Sequence, residues 1–478
     1  ILPSLTVVGQ KTANQRPVTT YETPISNLDF DPRVDFQSRN MAEAQGDVSI
    51  RGGIFEETGF QVGSATLLDP QTGHYSTEIP IAPEMLGEPK VLTGADNAHR
   101  GFNSSAGTVS YSWREITKGG SVTLGGGDHN LNFQRLHNAW TGVNTNNDEW
   151  TWGVEMESSH SESDGTIRYG DHRFARTSGR IQLVGPSSQT DLFAGYQEKF
   201  FGLPAMYTGN DANLETEDLL TRLIFVNHSQ QYGNGSEWEL SSFYRRHSDQ
   251  FILRRDNPSY YLADHETEVT AIAISGFHKV DERFSVHYNS QYTEDKINSL
   301  GLGQGAYNSR TYYKLSLLPQ YIHRLNKQEI VMFKAGASID DSNRDESKFS
   351  PIAEISWQKN DDVGSSERLY LAYAQATQVL GYSAIGGAKS SPFISDPNLR
   401  RGVSKNLELG YHLERDKWKL IGAVFHRWNK DLVDWLYTSS SARSAKHVDV
   451  NTIGVEIIAS RQWNNFEAIG SYSYLHKN

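Results

Sequence analysis

The residues with chemical potential in this chain are its 16 histidines, an acidic run and a triple glycine, and their spacing withholds the chemistry their types suggest. His160, His172 and His247 are scattered without the ligand spacing of a zinc site, so no metal centre is expected. Asp340-Asp341-Ser342-Asn343-Arg344-Asp345-Glu346 lacks the calcium-loop pattern and reads as a hydrated hairpin tip, with loose calcium binding the alternative left open. Gly125-Gly126-Gly127 ends a strand with no helix behind it, which rules against a phosphate cradle. There is no Gly-x-Ser-x-Gly elbow, and the absence of cysteine excludes disulfides, thiolate metal ligands and cysteine nucleophiles. We therefore expect no enzyme and no cofactor. A membrane-embedded hydrolase, built from a Ser/His pair on neighbouring strands, is the enzymatic alternative, and it has no use for the separate first domain described below.

The elements behind these residues are strands. From Gly119 onward, roughly seventeen amphipathic stretches rich in aromatic and β-branched residues are bounded by Gly, Asn, Asp or Ser. Their connections alternate in length. The chain reverses tightly between Arg415 and Trp418, around Asn326, around Asp281 and Glu282, and around Trp463. The intervening connections, Phe201 to Leu214, Ile297 to Ala306, Val379 to Arg401 and Lys430 to His447, are long. A transmembrane barrel sorts loop length by strand parity in this way, and a soluble sandwich has no reason to. Alternation within strands agrees: Leu407, Leu409, Tyr411 and Leu413 share one face, while Asn406, Glu408, His412 and Glu414 share the other. Trp418, Leu420, Val424 and Trp428 repeat the pattern, with tryptophans near both ends, where interfacial girdles lie.

The 478 residues carry 57 acidic and 45 basic side chains, a net charge of −12 that argues against nucleic acid as a partner. Mean hydropathy is −0.57. In a barrel only alternate residues meet lipid, so no long apolar run is expected. The chain starts at Ile1, not Met, and reads as mature or trimmed, consistent with a removed signal peptide. Residues 1 to 118 hold Pro3, Pro17, Pro24, Pro32, Pro70, Pro80, Pro83 and Pro89 and lack the long alternation, which predicts a separate small α+β domain.

Within that domain, Asp47-Val48-Ser49-Ile50-Arg51-Gly52-Gly53, then Leu67-Leu68-Asp69-Pro70, Pro89-Lys90-Val91-Leu92-Thr93-Gly94 and Gly107-Thr108-Val109-Ser110-Tyr111 follow one another. Far downstream come Asp396-Pro397-Asn398-Leu399, Asn406-Leu407-Glu408-Leu409-Gly410-Tyr411, Lys430-Asp431-Leu432-Val433-Asp434-Trp435, Ile453-Gly454-Val455-Glu456 and Ser471-Tyr472-Ser473-Tyr474-Leu475. As an ordered set covering nearly the whole chain, these resemble TonB-dependent outer-membrane receptors. The resemblance implies a membrane all-β fold: an antiparallel transmembrane β-barrel with an N-terminal α+β plug domain in its lumen. It divides the chain into a TonB-box segment at residues 1–12, a plug at 13–118 and a barrel at 119–478. The family barrel has twenty-two strands, so about seventeen of them are expected here and a C-terminally truncated sequence is inferred. Thr93 stands where the family usually has Arg, Asp69-Pro70 where it has Asp-Gly, and the chain stops after Leu475-His476-Lys477 without the family's terminal aromatic.

The resemblance further implies energy-coupled uptake of a siderophore-iron complex, cobalamin or a similarly bulky solute across the bacterial outer membrane. The partners are the lipid bilayer, the solute and TonB, the inner-membrane energy-coupling protein. Leu5-Thr6-Val7-Val8 is the candidate TonB box, a β-prone segment suited to strand addition. Arg51 with Glu408 and Glu456 is the expected lock between plug and barrel. Strand parity turns both glutamates toward the lumen, and either would be costly against lipid. With Thr93 in the second arginine's place, Lys90 and Arg100 are its two candidate substitutes. Substrate contacts are expected from Asp69, Gln71, His74 and Tyr75 on the plug and from Tyr382 and Phe393 in the longest loop, because plug apex and outer loops meet at the mouth. The other class to weigh is a plugged barrel that binds or adheres without transporting.

Overall fold

The computed structural model describes residues 23–26, 28, 31–38, 46–144, 147–302, 308–360, 365–387, 393–439, 442–464 and 466–478. The candidate TonB box, Leu5 to Val8, and the whole 1–12 segment lie outside them.

The first domain is a small mixed unit. Strands β1 (Val34–Ser38) and β2 (Gly46–Ile50) pair antiparallel. Strands β3 (Thr58–Val62), β4 (Ala65–Leu67), β5 (Lys90–Leu92) and β6 (Gly107–Tyr111) form a sheet in the order β4-β3-β6-β5, with β3 and β6 parallel. A short helix α1 (Gly94–Arg100) joins β5 to β6. Both β3 and β6 are buried at every position, as expected of a sheet covered on two faces.

The rest of the chain is a barrel wall that encloses this domain. Its strands are β7 (Gly119–Gly126), β8 (Asn132–Asn144), β9 (Asn147–Ser163), β10 (His172–Val184), β11 (Ser188–Gly202) and β12 (Thr216–Gln231). They continue with β13 (Glu237–Ile252), β14 (Leu262–Lys279), β15 (Phe284–Ser299), β16 (Ser309–Arg324), β17 (Glu329–Ser342) and β18 (Asp345–Asn360). After β19 (Ser366–Gln378) come helix α2 (Tyr382–Gly386) and the two-residue β20 (Phe393–Ile394). The wall ends with β21 (Gly402–Arg415), β22 (Trp418–Ser439), β23 (Ala442–Trp463) and β24 (Phe466–Lys477). Setting β20 aside, neighbouring strands pair antiparallel in chain order, β19 joining β21 directly. Strands β24 and β7 are neighbours in the ring order, yet among the described residues no register joins them, and nearly every position of both is exposed or half-exposed.

Two faces of one strand meet two solvents. Leu407 and Leu409 are 42% and 50% exposed while Glu408 between them is 3% exposed, so the apolar residues face outward and the carboxylate faces the plug. Leu192, Ile224, Ile272, Ile355 and Leu371 continue the outward apolar band. Inside, plug residues Val48, Phe60, Val62, Leu67 and Ile81 share a core with Phe193, Leu223, Phe225, Phe243 and Val269 of the wall. No described helix is long and apolar enough to cross a membrane, which is silent about strands.

Two expectations about connections need correction. Lys430 to His447 is not a long loop: β22 and β23 run through it, paired from Leu432↔Val448 to Ser439↔Ala442. Each has 22 residues, well beyond the roughly 9–11 that span a bilayer, so the hairpin continues past the bilayer's thickness. A bulge at Asn429/Leu432, where Asp431 takes φ +56°, marks the change. The acidic run 340–346 is likewise not uniformly hydrated. The turn is only Asn343 and Arg344, while Asp340 is buried, accepting from Thr377 Oγ1 at 2.8 Å and pairing with Arg401.

Candidate functional site

Arg51 sits just after β2 with φ +50°, and its amide donates to the Arg33 carbonyl. That left-handed backbone, followed by Gly52 at φ +65°, turns the side chain out of the plug toward the wall. Its guanidinium donates to Glu408 through Nη1 at 2.7 Å and Nη2 at 3.3 Å, and to Glu456 through Nε at 3.1 Å and through Nη2. All three side chains are buried, and the Phe425 ring lies 4.3 Å from the guanidinium carbon. Burial opposes the charge on Arg51, and the two carboxylates overcome it, holding the guanidinium well above its ordinary range.

Other groups complete the cluster. Tyr370 Oη donates to Glu408 Oε1 at 2.6 Å, and Asn406 Nδ2 to Glu408 Oε2 at 3.3 Å. Of the two candidate substitutes for a second cation, Lys90 is exposed and Arg100 donates to Gln61 Oε1 at 3.3 Å. Tyr370 was legible in principle, since Leu369 and Leu371 face outward and place it inward. Gly94 takes φ +54°, and a Cβ there would stand 2.7 Å from Glu408 Oε2. Gly94→Ala is expected to cost about 1–3 kcal/mol, combining backbone strain with displacement of that carboxylate. The check is a chemical-denaturation midpoint compared with Ala95→Gly as a neighbouring control.

Elsewhere the plug is fastened by polar contacts to the wall. Ser64 Oγ and Ser275 Oγ are 2.6 Å apart, Lys199 Nζ donates to Glu78 at 2.9 Å, and Lys314 Nζ donates to the Ala98 carbonyl at 2.7 Å. Arg135 bridges Glu84 of the plug, at 2.5 Å, and Glu157 of the wall.

At the outer end, plug apex and barrel surround a cavity of about 430 Å³. Asp69, Gln71, His74, Tyr75 and Phe393 line it; Tyr382 does not, being buried with its hydroxyl on Asp295 Oδ1 at 2.5 Å. Asp69 is occupied in folding the apex, accepting from the amides of Gln71, Thr72, Gly73 and Tyr75. His74 stacks on Phe55 with ring centroids 3.8 Å apart and pairs with Asp47 at 2.9 Å. Tyr75 donates to Glu217 Oε1 at 2.8 Å, and burial together with Asp249 and Glu217 pushes its phenol well above the ordinary range. Glu56, Asp434, Tyr207, Phe251 and Trp435 also line the cavity, and composition alone did not single them out.

Glu56 is half-buried at the cavity wall, and enclosure by protein, then Asp434, Glu57, Asp47 and Asp69, push its carboxyl from the ordinary 4.5 to about 8. Between those values the folded protein keeps a proton that the unfolded chain has released, so Glu56 lowers stability progressively as pH rises and no further above about 8. Glu56→Gln is therefore expected to stabilise the protein more at pH 9 than at pH 5. Thermal melts of both proteins at the two pH values check this.

Comparison with known proteins follows the same lines. A family model described as TonB dependent receptor-like, beta-barrel, matches residues 92–478. No curated protein sequence matches. Among solved structures, the copper transporter OprC aligns with TM-score 0.74 at 13% identity, over 97% of this chain and 77% of its own. The FrpB iron transporter from Neisseria meningitidis gives 0.72 at 12% identity, over 98% and 79%. The siderophore receptor PirA from Pseudomonas aeruginosa gives 0.67 at 15% identity, over 90% and 79%. At these identities the structures speak for the fold alone.

Proposed function

The chain belongs to the TonB-dependent receptor family, and from that premise we propose that it imports a bulky, scarce solute by TonB-driven displacement of its plug. It is a nutrient transporter of the outer membrane and not an enzyme. The observation that carries the proposal is the arrangement along the barrel axis. A solute-sized cavity opens at the apex of a plug that packs against the inner wall, and buried ion pairs and hydrogen bonds hold the plug to that wall. A plug fastened to the wall in this way has to move for a bulky solute to pass, and work has to be done on it. Arg51, Glu408 and Glu456 act as the lock in this reading, and Leu5 to Val8 as the segment that adds as a strand to TonB. Residues 1–12 then serve coupling, 13–118 the plug and 119–478 the barrel.

A ferric siderophore is the first solute to test and cobalamin the second. Similar solved structures include a siderophore receptor and an iron transporter, which supports that order. The mouth residues Asp69, Gln71, His74, Tyr75 and Phe393 form the solute site, with Tyr382 bracing it from behind through Asp295. The experiment is accumulation of labelled ferric siderophores and labelled cobalamin by cells expressing the gene, with surface binding measured on the same cells. Internal accumulation of either solute supports transport; retention at the surface alone favours a receptor that binds without importing.

A further inference from the structure

The charges and the unmet hydrogen-bonding capacity of the mouth cavity both have one sign. Four carboxylates, Asp69, Glu217, Asp249 and Asp434, and the Glu56 carboxyl, which keeps its proton at neutral pH, line it, against the single guanidinium of Arg443 among the described residues. Acidity alone would only describe a hydrated cleft. The second observation concerns buried acceptors. Asp249, 2% exposed, accepts from Gln71 Nε2 through Oδ2 at 2.6 Å and also feels the Tyr75 hydroxyl, while its Oδ1 has no partner in hydrogen-bond geometry; Gln71, 3% exposed, leaves Oε1 without one. Among the described residues, the remaining unpartnered buried polar atoms on the lining are the hydroxyls of Thr58 and Thr66, and no obligate donor is among them. A buried acceptor without a partner costs about 1–3 kcal/mol, a cost that a ligand N–H or O–H removes on binding. The cavity's aromatic walls suit a cation with an apolar body. Tyr207 and Phe251 meet edge to face at 5.4 Å, as do Phe393 and Trp435 at 5.4 Å.

We infer that the solute presented to this mouth carries a positive, hydrogen-donating group, an ammonium or an equivalent nitrogen cation on an otherwise uncharged or chelated body, seated between Asp249, Gln71 and the carboxylates of the rim. An anionic chelate, such as a ferric tricatecholate, would meet like charge and acceptors with nothing to accept from. This deepens the transport reading and rests on it for the site's role.

The test uses the full chain in detergent and three probes: a ferric trihydroxamate bearing one free primary amine, the same chelate with that amine acetylated, and a ferric tricatecholate. Tryptophan fluorescence quenching reads the binding. The amine chelate is expected to bind at least about tenfold more tightly than its acetylated form, and the tricatecholate more weakly than either. Asp249→Asn should collapse the amine preference to within about threefold, and Asp434→Asn, at an exposed rim position, should reduce it without touching the buried wall. Equal affinity for the amine and acetylated forms, preference for the tricatecholate, or no binding of the amine chelate each overturns the inference. Energised uptake that favours the tricatecholate overturns it while leaving transport intact. Amine-selective binding without uptake upholds it and counts against transport.

Discussion

Replacing Arg51 with alanine is expected to destabilise the plugged barrel by about 3–5 kcal/mol, because it strands two buried carboxylates rather than because it removes two attractions. Glu408 and Glu456 are 3% and 4% exposed, and after the substitution, among the described residues, only Tyr370 and Asn406 still donate, both to Glu408. Glu456 would be left shut from solvent, with the Arg33 guanidinium, itself paired with Asp31, as the plug charge still near it. Changing all three together, Arg51→Met with Glu408→Gln and Glu456→Gln, should recover most of the loss, since no buried charge is then left unpaired. Denaturation midpoints of the single and triple variants make the comparison. Equal midpoints for Arg51→Ala and the parent would remove the lock from the account. Protease sensitivity of the plug offers a second readout, and it should rise in the single variant and fall back in the triple.

The barrel was legible because its signal repeats. One alternating strand means little, but short and long connections sorted by parity carry membrane geometry, and the expected reversals at Arg415/Trp418 and Trp463/Phe466 coincide with strand ends. The inward turn of Glu408 followed from Leu407 and Leu409 alone, since a strand allows its residues only two directions. The misread stretches have physical causes. Lys430 to His447 looked like a loop because its polar residues break the lipid-facing pattern, yet above a bilayer a hairpin no longer needs that pattern, and Leu432, Val433 and Trp435 keep it paired. Asp340 looked hydrated because its partner Arg401 is far away in sequence. The same limit hid the mouth: Glu56, Asp249 and Asp434 come from the plug, β13 and β22, and only the closed fold brings them to one cavity.

Deleting residues 1 to 8 is expected to abolish uptake while leaving solute binding nearly unchanged. Strand addition draws its affinity from main-chain hydrogen bonds along the whole added segment, so removing Leu5 to Val8 eliminates the coupling contact rather than weakening it. The mouth is built from residues 55 to 76 and 102 to 103 of the plug and from barrel residues beyond 200, far from the deletion in sequence, and a preorganised site of that kind changes little when a distant tail is lost. Substituting proline at Val7 should have a similar effect through a single removed donor and a fixed φ. The measurement that bears most directly on energy-coupled transport is therefore labelled-solute accumulation set against surface binding, in the same cells, with and without residues 1 to 8. The account predicts accumulation only with the segment present and equal binding in both. Accumulation that survives the deletion would contradict it.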